Sequence, residues 1–218
     1  MLMMMGNHMK KPPFDITLPE YQKIFRILHA FGELTNRGRP NCLFYNVTGC
    51  RILREVYGID ARPVMGAAFI MTNDIDAHVL HFANLETEAA LSDRDHFHCW
   101  IETRNNIIDF TAPIYDQYPS SIGRDITTRK MFQKPHIQMS PSHLALDSLG
   151  DFYFEPNREL TRALLLAGAE SSRYLDLADI ARDWAMDSKK TVKRSIRIGS
   201  DEGPVDLTVS DLALVGGW

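Results

Sequence analysis

The chain has 218 residues, 44% of them hydrophobic and 24% charged, which is typical of a globular protein and excludes a collagen-like, coiled-coil or largely disordered chain. Its 24 basic and 28 acidic residues give a formal net charge of −4, so we expect no nucleic-acid partner. One domain of this length can bury a sizeable core, and we expect a single domain over residues 1–218 with a frayed tail at 1–14.

Two helices are predicted near the start of the chain. The first begins at residues 17–20, where a proline in the first turn stands beside an acidic residue, and it continues through apolar residues at helical spacing. The second runs from Asn41 or Cys42 to Tyr57, because asparagine is a favoured N-cap residue and Gly58 supplies a stop. The intervening run at 36–40 predicts a loop.

Strand patterns occupy the middle of the chain, and the predicted strands are 61–71, 77–84, 97–103 and 107–111. The last two flank Arg104-Asn105-Asn106, which predicts a hairpin turn. Residues 113–141 are rich in Ser, Thr and Pro, and they predict a long irregular segment that serves as a functional loop or a lid.

The last third of the chain predicts a short strand at 151–155, helices at 157–167 and 175–186, and a hairpin formed by 192–198 and 205–209. Helices therefore stand on both sides of a group of antiparallel strands and do not alternate with parallel ones. This order predicts an α+β fold.

Hydropathy and cysteine usage predict the cellular compartment of the protein. No stretch approaches the ~20 continuous apolar residues of a membrane span, and the first residues lack an apolar leader. We therefore expect a cytoplasmic protein with no membrane partner. Its three cysteines are then free thiols.

Cys42 is the first candidate for chemistry because it lies at a predicted helix start. Unpaired N–H groups and the positive end of the helix dipole stabilise a thiolate there, and the same N–H groups can bind an oxyanion. A nucleophilic cysteine also needs a base and a group that orients the base. His98 and Asp109 are candidates for these roles, since they lie on the two strands of one predicted hairpin.

The register of this hairpin decides whether His98 and Asp109 meet. A turn centred on Thr103-Arg104 places them directly opposite each other, and a turn centred on Arg104-Asn105 makes them diagonal neighbours. In both registers the carboxylate can reach the imidazole. A turn with an odd number of residues places them on opposite faces and excludes the pair.

Three segments around these residues resemble the transglutaminase-like core of the papain-like cysteine peptidase superfamily. They are Cys42-Leu-Phe-Tyr-Asn with the following Tyr57-Gly-Ile-Asp-Ala-Arg-Pro-Val-Met-Gly, then His98-Cys-Trp-Ile-Glu, then Ile108-Asp-Phe-Thr. In that family a cysteine opens a helix, a Gly-Ile-Pro-Ala-Arg-x-Val-x-Gly segment follows, and strands with His-x-Trp-x-Glu and Asp-x-Thr come later. This chain departs from the pattern at Asp60, where the family has proline, and in a shorter spacing between the histidine and the aspartate.

The resemblance implies a papain-like core in which the cysteine helix packs on an antiparallel sheet carrying His98 and Asp109. It also implies a thiol-dependent hydrolase or acyltransferase, in which Cys42 attacks an amide, ester or thioester, His98 takes the thiol proton and Asp109 orients His98. The Cys42 N–H and the Asn41 side chain would bind the oxyanion, and Trp100 would shield the His98-Asp109 pair and border the substrate. The expected partner is a small molecule or a peptide, with no cofactor.

Two other interpretations stay open. His96, His98 and Glu102 share one face of a predicted strand, and two imidazoles with a carboxylate can bind a divalent metal in a cupin-like protein. The predicted helices before this strand argue against an all-β cupin barrel. The second interpretation is a papain-like domain that binds but does not catalyse. Cys50 and Cys99 are expected to pack in the core.

Overall fold

The structure of the protein, a computed structural model, describes residues 14–36, 41–73, 75–85, 92–121, 123–126, 129–188, 193–199 and 203–218. Helices pack against an antiparallel sheet, so the predicted α+β class is confirmed. The helices are α1 (Leu18–Ala30), α2 (Gly32–Asn36), α3 (Cys42–Glu55), α4 (Arg158–Ala169) and α5 (Ser172–Asp187). The strands are β1 (Ala61–Asn73), β2 (His78–Phe82), β3 (His98–Thr103), β4 (Asn106–Asp109), β5 (Phe132–Pro135), β6 (Phe152–Pro156), β7 (Ser195–Ile198) and β8 (Val205–Thr208). Within the described residues, no helix combines the length and the apolarity that a membrane span requires.

Strand β1 is the centre of the main sheet. The strand order is β2-β1-β3-β4-β5, β6 also pairs with β1, and all of these pairs are antiparallel. Ala68 of β1 pairs with both Phe82 of β2 and Phe154 of β6, so neighbouring strands cover both edges of β1 at that point. This explains why β1 is buried along most of its length. Strands β7 and β8 form a separate hairpin.

Helix α3 contacts β1 and β3 of the sheet and also α1 and α5. A glycine in α3, Gly49, permits the close approach of an aromatic ring. A Cβ atom at Gly49 would lie 2.4 Å from Cδ2 of Phe110, so the ring of the residue that follows β4 packs directly on the helix backbone. The helix is therefore seated close to the strands that carry His98 and Asp109.

The segment before α1 is held against the hairpin of β3 and β4. Oδ2 of Asp15 accepts hydrogen bonds from Oγ1 of Thr103 and Nδ2 of Asn106, both at 2.7 Å. The N–H of Ile16 donates to the side-chain oxygen of Gln133 on β5, and the side-chain nitrogen of Gln133 donates to the carbonyl oxygen of Ile16. The predicted frayed tail, apart from Phe14, lies outside the described residues, and ordered contacts begin at Asp15.

The segment 113–141 differs from the irregular loop that its composition predicts. It contains 3-10 helices at Ala112–Gln117, Pro119–Ser121 and His136–Gln138, and it supplies β5, which pairs with β4. The sequence did not indicate β5, because a four-residue strand that ends in proline is too short to show an alternation of apolar and polar residues. Long-range bonds from Gln133 to Ile16 help to hold this strand in place.

The C-terminal elements agree with the predictions except at their ends. Helix α4 is capped by Asn157, and α5 begins at Ser172 because Ser171 caps it. Oγ1 of Thr161 accepts a hydrogen bond from the N–H of Met65 at 2.9 Å, which fixes α4 beside β1.

We predict that Gly66→Ala lowers the free energy of unfolding by about 3 kcal/mol or more. A Cβ at this position of β1 would lie 2.0 Å from the carbonyl oxygen of Glu155 and 2.9 Å from Cη2 of Trp100, and backbone cannot move aside cheaply. Urea unfolding measures the loss. The matched control is Gly168→Ala in α4, where no atom lies within 4 Å and a gain of up to about 1 kcal/mol is expected. Equal effects of the two substitutions would contradict the prediction.

Candidate active site

Cys42 is the first residue of α3, as predicted. Oδ1 of Asn41 caps the helix by accepting a hydrogen bond from the N–H of Phe44 at 3.0 Å. The N–H of Cys42 donates no hydrogen bond to a described residue, as is usual in the first turn of a helix. Cys42 is partly exposed, whereas Cys50 and Cys99 are buried. Of the three thiols, Cys42 is therefore the one with access to solvent.

The hairpin of β3 and β4 places His98 and Asp109 on the same face. Ile101 lies opposite Ile108 and Glu102 lies opposite Ile107, which centres the turn on residues 104 and 105. Of the two registers that allow contact, the structure has the one with diagonal neighbours. Nε2 of His98 lies 2.7 Å from Oδ2 of Asp109, and both side chains are fully buried.

The second ring nitrogen of His98, Nδ1, is not used by Asp109. Nδ1 is buried and makes no regular hydrogen bond to the part of the chain that the structure describes. Cys42 is nevertheless close enough to act on the imidazole through its charge and its side chain. Because Nε2 is already bonded to Asp109, Nδ1 is the nitrogen left for the Cys42 thiol. The structure thus joins His98 and Asp109 by a hydrogen bond and places Cys42 within electrostatic reach of the imidazole.

The carboxylate of Asp109 is surrounded by hydrogen-bond donors. Oδ2 accepts from His98 and also from the hydroxyl of Tyr115 at 2.5 Å. Oδ1 accepts from Nδ2 of Asn46 at 2.8 Å and from the N–H and hydroxyl of Thr111 at 2.8 and 2.6 Å. A buried carboxylate is tolerated only when both oxygens are satisfied in this way, and the ring of donors fixes its orientation.

Asn46 is a site residue that the sequence did not single out. It lies one helical turn after Cys42 on α3, and its amide donates to Asp109 and to the carbonyl oxygen of Cys99 at 2.7 Å. Its oxygen accepts from the N–H of Phe110 at 2.9 Å. The spacing of four residues from Cys42 places both on one helix face and is the signal that could have identified it.

The charges of the site favour an imidazolium beside a carboxylate. Burial lowers the pKa of His98, but the charge and hydrogen bond of Asp109, followed by those of Cys42, outweigh it and raise the pKa to about 10. For Asp109, burial alone would raise the pKa of the carboxyl group. The charge and hydrogen bond of His98, together with the hydrogen bonds from Thr111 and Tyr115, outweigh burial, so the pKa of Asp109 lies below its usual value. At neutral pH His98 is therefore cationic and Asp109 anionic.

Aromatic rings enclose the imidazole. Phe82 stacks on His98 with centroids 4.3 Å apart, and the rings of Tyr115, Tyr118 and Phe154 stand edge-on at 6.3–6.5 Å. These rings exclude water from the His98-Asp109 pair, which strengthens its electrostatic interaction. The enclosing residues come from β2, β6 and the 3-10 helical segment, so the sequence could not indicate that they meet.

Asn41 is the N-cap of α3, as predicted, and Trp100 lies in the core. Trp100 is fully buried against Phe154, with centroids 4.9 Å apart, so it shields the core and presents no surface to a substrate. The amide of Asn41 is used twice, because Oδ1 caps α3 and Nδ2 donates to the carbonyl oxygen of Thr35 at 3.3 Å. Asn41 thus stabilises the start of the helix that carries Cys42, and Trp100 packs in the core beside the site.

The residues of the metal-binding alternative are separated and have other partners. His96 lies in a loop and pairs with Asp93 at 3.1 Å. Glu102 pairs with Arg62 at 2.6 Å, and His98 is bonded to Asp109. Among the described residues, no group of three or more His, Cys, Asp or Glu side chains could hold a metal ion. Residues 37 and 39, two arginines close before Cys42, lie outside the described residues.

A groove of about 640 Å³ opens at the opposite end of β3 from His98. Its floor is mainly apolar, and Arg62, Glu102, Arg158 and Arg162 contribute charge. A smaller cleft of about 450 Å³ lies nearer the first residue of β3 and is lined by His81, Ala83, Asn84, Leu85 and His96.

We predict that Asn46→Ala lowers the free energy of unfolding by about 3 kcal/mol, because it removes a donor from buried Asp109 and leaves groups of Cys99 and Phe110 without their partner. Denaturant titration measures the change. Asn105→Ala is the control, since that side chain is exposed and makes no hydrogen bond to a described residue, and its effect should stay within about 0.5 kcal/mol. A similar loss in the two variants would argue against the role given to Asn46.

We also predict a pH dependence of stability that originates in His98. Its pKa is about 10 in the folded protein and near 6.5 when unfolded, so its stabilising contribution is complete below pH 6.5 and is lost as pH rises toward 10. The free energy of unfolding should fall between pH 6.5 and 8.5, by at most about 1.4 kcal/mol per pH unit for one proton. His98→Gln should remove this slope and His81→Gln, at an exposed position, should keep it. An unchanged slope in His98→Gln would refute the assignment.

Comparisons with known proteins identify the family. No curated protein matches the chain. A solved structure described as "The crystal structure of genomics APC5867" is similar over 94% of this chain and 98% of its own, with 25% sequence identity and a TM-score of 0.81. The model of the family described as "Protein of unknown function (DUF2026)" matches residues 17–218. Because this match spans most of the chain, the protein belongs to that family.

Proposed function

We propose that the protein is a thiol-dependent hydrolase or acyltransferase in which Cys42, His98 and Asp109 form a catalytic triad. One observation carries the proposal: the buried imidazole is bonded to Asp109 through Nε2 and has Nδ1 left for the partly exposed Cys42. A nucleophile, a base and an orienting carboxylate are the three groups that acyl transfer through a thiol requires.

The proposed cycle begins with a thiolate at Cys42 and an imidazolium at His98. The sulfur attacks the carbonyl carbon of an amide, ester or thioester, a C–S bond forms, and the carbonyl electron pair moves onto oxygen. As the intermediate collapses, the bond to the leaving group breaks and His98 gives that group a proton. Water or an amine then attacks the thioester, His98 accepts a proton from it, and Cys42 leaves as a thiolate.

The electrostatics of the site support the imidazolium at His98 with which this cycle begins. The raised pKa of His98 means that it carries a proton at neutral pH, and Asp109 balances this charge inside the aromatic enclosure. The proton is thus already on the residue that must give it to the leaving group. Asp109 remains ionised because its pKa is lowered, so it can hold the imidazolium through the cycle.

The architecture supports a papain-like, transglutaminase-like core as part of the same proposal. The nucleophile opens a helix that packs on β3, and the base and the carboxylate lie on β3 and the adjacent β4. This is the arrangement that the resemblance of the three sequence segments implies. The proposed acyl donors are small molecules or peptides, and the cycle uses only groups of the chain and of its substrates.

We predict that p-nitrophenyl acetate, an activated ester, acetylates Cys42 with a burst of about one equivalent of p-nitrophenolate. Stopped-flow absorbance measures the burst, and peptide mass analysis locates the acetyl group. Cys42→Ala should abolish the burst, and His98→Ala should slow it by about 100-fold because the thiolate loses its cationic partner.

The matched control for the cysteine is Cys50→Ala, which should keep the burst. Cys50 is buried, and burial raises its pKa to about 12, so it contributes no thiolate at neutral pH. A native protein that is folded but not acetylated at Cys42 would refute the catalytic proposal and favour a papain-like domain that only binds.

A further inference from the structure

Tyr118 carries a buried hydroxyl that the triad does not use. The residue is 9% exposed, and its hydroxyl oxygen is buried without a hydrogen bond to any described residue. A hydroxyl that loses water and gains no partner is unfavourable, so such groups in folded proteins call for an explanation. A hydrogen bond formed only during a reaction is one explanation.

The ring of Tyr118 is held beside the imidazole. Its centroid lies 6.5 Å from that of His98 and 4.8 Å from that of Phe82, edge-on to both rings. Its backbone N–H donates to the carbonyl oxygen of Tyr115 at 3.3 Å, and its carbonyl oxygen accepts from the N–H of Ser121 at 2.9 Å. The position of Tyr118 is therefore set by its backbone and by ring packing, and its hydroxyl is free to serve another purpose.

The hydroxyl is also a donor within electrostatic reach of the nucleophile. Burial, then the charges of Cys42 and Asp109, raise the pKa of Tyr118 well above its ordinary value, so the proton stays on oxygen at neutral pH. The side chain of Thr111 lies close enough to offset part of this rise in the pKa of Tyr118, while its own hydroxyl proton is donated to Asp109. The Tyr118 proton is therefore not required to satisfy the buried carboxylate.

We propose that Tyr118 is a catalytic residue whose O–H donates a hydrogen bond to the oxyanion formed when Cys42 attacks a carbonyl group, an inference that rests on the function proposed above. It takes the place that the sequence assigned to the Asn41 side chain, which is engaged in capping and in its bond to Thr35. The N–H of Cys42, which has no acceptor in the described chain, would supply the second hydrogen bond.

The proposed hydrogen bond accelerates one step only. The substrate carbonyl is neutral before the attack, and its oxygen becomes negative as the C–S bond forms. A donor already held in place stabilises that charge more than it stabilises the neutral carbonyl, so it lowers the barrier to acylation. A reaction of the same thiol that forms no oxyanion gains nothing from Tyr118.

This difference gives the test, which compares two reactions of Cys42 in native protein and in Tyr118→Phe. Acetylation by p-nitrophenyl acetate forms a C–S bond through an oxyanion and expels p-nitrophenolate. Alkylation by iodoacetamide forms a C–S bond at a saturated carbon and expels iodide, without an oxyanion. We expect Tyr118→Phe to slow acetylation by about 100-fold and to leave the alkylation rate within about twofold.

Tyr57→Phe is the matched control. Its hydroxyl is also buried without a hydrogen bond to a described residue, but it lies just beyond the far end of α3. Neither reaction of Cys42 should change in this variant. The alkylation rate also serves as a check on folding, because a disturbed site would change the reactivity of the thiol in both reactions.

Three outcomes would overturn the inference, and they are distinguishable. Equal acetylation rates in native protein and Tyr118→Phe would exclude an oxyanion role while leaving the triad intact. Equal slowing of acetylation and alkylation would show that Tyr118 acts on the thiol itself. Failure of native protein to acetylate at Cys42 would refute the proposed function and this inference with it.

Discussion

A carboxylate removed from water needs donors on both of its oxygens, and Asp109 obtains them from three separate parts of the chain. His98 comes from β3, Asn46 from α3, and Thr111 and Tyr115 from the segment that follows β4. The charge of Asp109 is therefore stable only when these parts are assembled together. Helix α3, strand β3 and the segment after β4 together bring these donors to one buried carboxylate.

The same requirement bears on the position of Cys42, the proposed nucleophile. Asn46 is one turn from Cys42, so the helix that satisfies Asp109 also carries the thiol. A movement of α3 that withdrew Cys42 from His98 would also withdraw Asn46 from the carboxylate and expose an unsatisfied charge. The hydrogen bonds that stabilise the fold at Asp109 and the position of Cys42 therefore depend on the same helix.

Local patterns in the sequence were enough to predict the helix start at Cys42, the β3–β4 hairpin and the α+β class. They left two registers open for the hairpin, because alternation alone does not fix the centre of a turn. They did not reveal Asn46 or Tyr118, whose roles depend on neighbours far away in the chain. The sequence indicated Asn41 as an N-cap, but the bond of its amide to Thr35 and the full burial of Trp100 against Phe154 depend on the folded structure.

The bond network of Asp15 bears on how the site tolerates change in chain length. Asp15 accepts hydrogen bonds from Thr103 and Asn106, the two residues on either side of the turn between β3 and β4. A longer turn that kept Ile101 opposite Ile108 would leave His98 and Asp109 on the same face, because strand pairing sets the face of each side chain. Such a turn would still have to keep Thr103 and Asn106 within reach of one carboxylate oxygen of Asp15, so the length of the turn is coupled to the segment before α1.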